Sequence, residues 1–451
     1  MKKDLDPKGN LKIIPLLLAG GALFSMHFGA SSMVWPMNWG KESGTSYPIA
    51  FAGAFITSLF LVLIGYIALA RGRGTYRELT ERVCSKKFTY FFTALTILVN
   101  GPFYVIPRMS AAAWDSFLQA FGLSFSSRLP LILFTVIFYV VAYLFLMSPG
   151  KAMDRISSFL FPVLIIIVVA VIGKGFLYPG TMSAKQYADS AFAYGFTNGY
   201  ATGEILCALI FGAVILNNLR EKGVEEGRLT GNMVRVGVAG LAILTFTHFS
   251  HMKIGASFAS VYPELSYTSL YTAVATHLYG KTGGILFFLA LLMAALTTAI
   301  GMTSGCAEFF VELTGKRYSY RQIALAIVIL SVGFGSLGLA GILSILGPVL
   351  DGVYPAAMVL VIHFGLVRDP DAAANRKAAR AAIYTAFVMG MIDMLWKYLV
   401  RFDTMPGLCR LYEKLPLASV SLLWVPVVLV VYLISFFLKP GTTKSSNVHN
   451  G

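Results

Sequence analysis

Twelve apolar stretches, each near the length of a bilayer crossing, follow one another along the chain and restrict what it can fold into. They run Leu11 to Pro36, Tyr47 to Ala70, Phe88 to Pro107, Leu129 to Met147, Ile156 to Leu177, Ala191 to Leu219, Val234 to Phe258, Gly283 to Phe310, Ile323 to Ala340, Gly341 to Val367, Ala381 to Leu399 and Leu417 to Leu438. A spanning helix takes about 20 apolar residues, so twelve use roughly half of the 451. Only 13% of residues are charged and 57% are hydrophobic, which excludes a soluble globule, where about 25% are charged. Hydrocarbon tolerates backbone polar groups only inside helices or closed barrels, and the ten-residue alternation of barrel strands is absent. The expected class is an all-α membrane protein of about twelve transmembrane helices.

The formal charge of +15 sits in short clusters between apolar stretches rather than along one face, so nucleic acid is not an expected partner. These clusters read as topology signals. The connection from Arg71 to Lys87 holds Arg71, Arg73, Arg77, Arg82, Lys86 and Lys87 against Glu78 and Glu81, and reads as cytoplasmic. The same bias puts both tails, residues 1–10 and 439–451, in the cytoplasm. The first ten residues lack a small-residue cleavage site, so the first apolar stretch is expected to be retained. The four cysteines show neither a disulfide framework nor metal spacing. No phosphate loop or long soluble stretch is present, so no cofactor or ATPase subunit is expected, and any work must draw on an ion gradient or the solute itself.

Two stretches make poor continuous helices. Small and hydroxyl residues interrupt the first over Gly20 to Ser32, and the sixth over Ala191 to Glu204. These interruptions lie five spans apart, which divides the chain into an inverted-repeat pair, residues 11–177 and 191–367, with two added helices at 381–438. Interrupted spans at matching positions of two halves point to a central binding site, although glycines also serve close helix packing. A broken helix offers free amides to a carboxylate and free carbonyls to an ammonium group or Na⁺. That chemistry suits an amino-acid zwitterion, with Phe28, Met33, Phe196 and Tyr200 as side-chain neighbours.

Thr297 and Thr298 are adjacent hydroxyls in an otherwise apolar part of the eighth span, suited to a small cation but equally to back-bonding within their own helix. Ionisable residues inside hydrocarbon are functional candidates. Glu204, Asp351 and Asp393 qualify, with Glu308 near a span end. Glu204 has three readings: orienting the sixth-span break, binding a proton, or capping a helix. Asp351 reads as a gate, an ion path or an ordinary ion-pair partner. His248 and His251 share a helix face without a third ligand and read as packing residues.

Ordered motifs then add a resemblance. Gly101-Pro102-Phe103-Tyr104-Val105-Ile106-Pro107-Arg108, Pro149-Gly150-Lys151-Ala152-Met153-Asp154, Asn198-Gly199-Tyr200 with Phe211-Gly212, Cys306-Ala307-Glu308-Phe309-Phe310, and Gly347-Pro348-Val349 with Tyr354-Pro355 follow in sequence. With these the chain resembles the bacterial branched-chain amino acid:cation symporters of the amino acid-polyamine-organocation superfamily. The resemblance implies a leucine-transporter-like five-plus-five inverted repeat with broken spans one and six, in the bacterial cytoplasmic membrane. It implies a substrate site of Gly29, Ala30, Ser31 and Ser32 facing Gly195, Phe196, Thr197, Asn198, Gly199 and Tyr200, with the Ala30 and Ser31 amides on the carboxylate. It further implies a Na⁺ site built from Ser25, Phe28, Ala294, Thr297 and Thr298, while Glu204 and Asp351 stand as coupling or gating candidates from their place in apolar stretches. The chain departs from the family at Ser31-Ser32, where Gly-Asn is usual, and at Met109-Ser110-Ala111, where Thr-Ala-Thr is usual.

The expected function is import of leucine, isoleucine and valine with Na⁺ by alternating access, spans one, two, six and seven rocking against the rest. The alternatives are another neutral amino acid, H⁺ coupling through Glu204 or Asp351, or a nontransporting sensor of the same fold. An enzyme is not expected, because no nucleophile, base or metal set converges.

Overall fold

The computed structural model describes residues 4–72, 74–147, 151–182 and 190–438, with backbone alone at 151–161 and 200–201. Each apolar stretch contains helix, the last only from Trp424 to Phe437, and the only bridge pairing among the described residues joins Leu5 to Leu11. The main helices are α1 (Ile13–His27), α2 (Ala30–Ser43), α3 (Tyr47–Gly72), α4 (Lys86–Phe121), α5 (Leu129–Met147), α6 (Lys151–Phe176) and α7 (Ala191–Asn198). They continue as α8 (Glu204–Glu221), α9 (Leu229–Ser257), α10 (Tyr267–Leu313), α11 (Tyr320–Gly335), α12 (Gly338–Leu366), α13 (Ala373–Arg401) and α14 (Trp424–Phe437). Among the described residues 7 helices are long and apolar enough to cross a membrane, or 8 when the bent pair α1–α2 counts as one, and Pro162–Phe176, Tyr320–Gly335 and Trp424–Phe437 are shorter apolar helices. This is an all-α multi-pass membrane protein.

Its apolar residues face outward as well as inward. Leu133, Ile137, Val140 and Leu144 on α5, and Leu429, Val430, Leu433 and Ile434 on α14, are exposed. Water would not tolerate such faces, whereas acyl chains match them. The bulkiest buried side chains instead gather toward the middle of the bundle, among them Trp35, Trp39, Tyr104, Arg108, Phe287 and Tyr354.

The first interruption is narrower than residues 20–32. Gly20 to His27 stay helical, the break is confined to Phe28 and Gly29, and the chain bends by 71° into α2, whose first turn holds Ser31 and Ser32. An isolated glycine costs a helix only about 1 kcal/mol, and Gly20 lets α1 approach α9 at Ala239 and Gly240. The second interruption is a 3-10 turn at Gly199–Thr202 followed by Gly203 at φ 74°, a left-handed conformation that glycine adopts without a Cβ clash. Ala191–Asn198 before it is helical.

Local irregularities shape the surroundings of both breaks. The Gly101-Pro102 pair interrupts α4, with Gly101 at φ −93° and ψ −108°, and turns the following residues Tyr104 and Arg108 toward α2. Gly280, at φ 70°, kinks α10, so the eighth apolar stretch occupies 281–313 while 267–279 forms a separate helical arm.

Glycines allow helices to touch through their backbones. A Cβ on Gly40 would collide with the Met252 carbonyl, one on Gly255 with the Met37 carbonyl, and one on Gly195 with the Ala50 carbonyl. These contacts hold α2 to α9 and α7 to α3, as small residues do at membrane helix interfaces. Gly255→Val is therefore expected to destabilise the protein by about 1–3 kcal/mol. Thermal unfolding followed by size-exclusion fluorescence reads this loss, and an unchanged transition would show that the approach is not constrained.

Candidate functional site

The two breaks meet. His27, the last residue of α1, bonds through Nδ1 to Glu204 Oε2, and Glu204 is the first residue of α8. Ser32, in the first turn of α2, lies within hydrogen-bond reach of Glu204 Oε1 and of the His27 carbonyl at 2.6 Å, so its single proton is shared between them. His27 Nε2 contacts the Tyr66 hydroxyl of α3 at 2.5 Å. Glu204 thus ties together the helix ends of both interruptions. Its place at the α8 N-terminus also sets a carboxylate against the positive end of that helix.

Beside it, Arg108 is fully buried. Its Nη2 donates to Ser31 Oγ at 2.7 Å, and its guanidinium lies 4.4 Å from the ring centroids of both Trp35 and Tyr104. The face of a ring attracts such a cation, worth about 2 kcal/mol when desolvated. Ser31 and Ser32 therefore anchor the first break to α4 and α8.

The residues expected to hold Na⁺ come together. Ser25, Phe28, Ala294, Thr297 and Thr298 line one cavity of about 440 Å³, which also reaches Met26, Phe211 and Glu308. The break lies directly on Thr298, whose Oγ1 would be 3.0 Å from a Cβ placed on Gly29. Thr297 Oγ1 donates to the Ala294 carbonyl at 3.0 Å, the back-bond its sequence context allows. Hydroxyls and carbonyls are hard oxygen donors, so the set fits a small hard cation.

The residues expected around substrate divide between two settings. Thr197 and Asn198 line a second cavity of about 280 Å³ with Trp35, Tyr104 and Asp351, on the α2 side of the break. Gly195 and Gly199 turn their Cα faces to α3, against the Ala50 carbonyl and the Thr57 hydroxyl, which leaves only their backbone groups for a ligand. Thr57 Oγ1 donates to the Phe196 carbonyl at 2.8 Å. Thr197 Oγ1 and Asn198 Nδ2 bond back to the Ala193 and Tyr194 carbonyls at 2.9 Å each. By helix geometry the Ala30 and Ser31 amides lie in the first turn of α2, before the first amide with an intrahelical acceptor, that of Met33, which donates to the Gly29 carbonyl at 3.3 Å. The Tyr200 side chain lies outside the described residues.

Asp351 is apart from Glu204. It accepts from Lys397 Nζ of α13 at 2.8 Å, the ion-pair reading of that residue. Asp393 accepts from the Tyr412 hydroxyl at 3.2 Å, and Glu308 is exposed on the first cavity. His248 and His251 bond to the Leu244 carbonyl and the Tyr271 hydroxyl, as packing residues do, and no metal-binding group of His, Cys, Asp or Glu occurs among the described residues. Sequence reasoning missed His27 and Arg108. Applying the rule on ionisable residues in hydrocarbon to every basic residue and histidine, not only to acids, would have found both.

This arrangement can be set beside known proteins. A family described as branched-chain amino acid transport protein matches residues 13–441. The chain belongs to this family. Among its relatives, the branched-chain amino acid permease BraB of Bacillus subtilis is 29% identical over 360 residues, 79% of this chain and 80% of the relative. The branched-chain amino acid permease BrnQ of Escherichia coli K12 is 28% identical over 441 residues, covering 96% and 98%. BrnQ of Salmonella typhimurium is 28% identical over 446 residues, covering 97% and 99%. The family is one of transport proteins and not of enzymes.

A double-mutant cycle probes the junction. Glu204→Ala and His27→Ala each leave a buried partner unsatisfied and are expected to cost about 1–3 kcal/mol. The double variant should fall short of the sum by more than about 0.5 kcal/mol in thermal unfolding, and strict additivity would mean that the two side chains do not interact.

Proposed function

We propose that this chain imports leucine, isoleucine and valine together with Na⁺ across the bacterial cytoplasmic membrane by alternating access. In this reading it has twelve spans arranged as a five-plus-five inverted repeat plus two helices, with both tails cytoplasmic. The observation that carries it is the junction of two broken spans at Glu204, with one cavity on the α1 side and another on the α2 side. The names of the relatives supply the substrate class.

The carboxylate of the amino acid takes the free amides of Ala30 and Ser31, where the positive end of α2 stabilises an anion. Its ammonium takes the second lone pair of carbonyls at the second break, around Phe196 to Gly199, beside donors such as the Thr57 and Thr202 hydroxyls. Na⁺ sits between the Ser25 and Phe28 carbonyls of the first span and the Ala294 carbonyl and Thr297 and Thr298 hydroxyls of the eighth. A cation shared by two elements that move apart stabilises only the state in which they are together, and that differential affinity is what couples ion to solute. α1 and α2 pack on α9, α7 packs on α3, and α9 packs on α3, so the first, second, sixth and seventh spans touch one another, while α3 also packs on α12 and α2 on α10.

In proteoliposomes, leucine uptake should require an inward Na⁺ gradient, and uptake that persists with choline in place of Na⁺ would reject the coupling. Thr297→Ala and Thr298→Ala should each raise the Na⁺ concentration for half-maximal uptake about tenfold, the effect of about 1.4 kcal/mol. An unchanged Na⁺ dependence would move the cation elsewhere.

A further inference from the structure

Two donors beside the second cavity have a use that the packing of α2 does not explain. The N-cap residue Gly29 offers no side-chain oxygen to the amides of the first turn, so the positive end of α2 is open to an anion. One turn further along, the indole of Trp35 is 1% exposed, and its Nε1–H finds no acceptor among the described residues. Burying a donor without an acceptor is as costly as breaking a hydrogen bond. Where the ring that carries the donor lines a cavity, a ligand oxygen answers it, and the Trp35 ring does so together with Tyr104, Thr197 and Asn198.

Ser31 and Trp35 stand four residues apart and share one face of α2. Helical side chains lean toward the N-terminus, so the indole covers the turn that carries Ser31. The indole is also held from two sides. The Arg108 guanidinium lies 4.4 Å from its ring centroid, and the Tyr267 ring 4.9 Å from it. Tyr267 is in turn tied to α2, its backbone N–H donating to Asn38 Oδ1 at 3.1 Å. The same guanidinium donates to Ser31 Oγ, so one buried cation fixes both the first turn of α2 and the indole above it. The other charges of the cavity, Asp351 and Lys397, pair with each other at 2.8 Å.

We propose that Trp35 recognises the solute's carboxylate in the second cavity and that Arg108 is the residue that positions it. The indole Nε1–H donates to one carboxylate oxygen, while the first-turn amides of α2 take the other. A carboxylate only accepts, whereas an amide group in its place turns N–H donors of its own toward these donors. The arrangement therefore selects a solute with a carboxylate over the same solute without one. The guanidinium behind Ser31 adds a positive charge that favours the anion. Taking an amino acid as the solute rests on the reading of the chain as an importer, while the two sets of donors and their ordering do not.

The test compares leucine with leucinamide, which keeps the ammonium group and the side chain but has no carboxylate. With the full-length protein in nanodiscs and Na⁺ present, calorimetry should show leucine bound at least about tenfold more tightly. Trp35→Phe keeps a ring for Arg108 and removes the N–H donor. It should weaken leucine about tenfold and leave leucinamide unchanged, and Arg108→Gln should do the same. A wild-type protein that binds both ligands equally, or variants that lose both equally or neither, overturn the proposal. A second reading follows the indole directly. With ¹⁵N in the 5 tryptophans, the N–H resonance missing from W35F should move downfield with leucine and stay in place with leucinamide. A resonance that ignores leucine in a protein that takes leucine up overturns the carboxylate site and leaves the import reading standing. One that answers leucine in a protein that transports none upholds the site and overturns the import reading. A protein that neither binds nor transports leucine overturns both.

Discussion

A helix broken inside hydrocarbon exposes amides and carbonyls that no water or lipid tail can satisfy, so two such breaks persist only if something within the protein answers them. Here the Ser32 hydroxyl reaches the His27 carbonyl, and the side chains of the two breaks are joined by the Glu204 carboxylate. It starts the helix after the second break and reaches across to the last residue before the first break and to the first turn after it. Because its two oxygens serve two different helix ends, neither break is independent of the other. The 71° bend of α1–α2 and the left-handed Gly203 flank that carboxylate, and Tyr66 is joined to it through His27.

The serine pair Ser31-Ser32 becomes intelligible in this setting. Both hydroxyls point to partners: Ser31 to Arg108 and Ser32 to Glu204 and the His27 carbonyl. The Gly101-Pro102 interruption of α4 presents Arg108 at the right level, with Trp35 and Tyr104 on the guanidinium. A motif that reads only as a family signature is thus a device for placing a buried cation beside the first break. Hydroxyl chemistry, rather than an amide side chain, completes the contact.

Glycine is the residue whose meaning the sequence left open, and the structure divides its roles. Gly29 and Gly203 belong to the breaks themselves, one pressed against Thr298 and the other at positive φ. Gly20, Gly195 and Gly199 serve helix approach, since a Cβ on any of them would strike a neighbouring helix. The same residue type in the same stretch therefore carries either conformational or packing work. The distinction depends on what lies opposite, which one chain's linear order does not contain.

The order of apolar stretches by itself determined the all-α membrane class, because hydrocarbon admits the backbone of a long apolar stretch as helix whatever its neighbours are. It also located both interruptions to within a dozen residues, since small residues are where a spanning helix can fail. The oxygen-bearing residues around Ser25, Phe28 and Thr297 were legible as a group because chemistry restricts what holds a small cation, and they line one cavity. Only the tertiary structure decided that Gly20 to His27 stay helical and that Thr197 and Asn198 face a different cavity from Thr298. It alone decided that His27 and Arg108 are the partners of the breaks. These outcomes depend on residues as far apart as 27 and 204, and a pairing between distant helix ends is set by how the helices cross, not by any local preference of the chain.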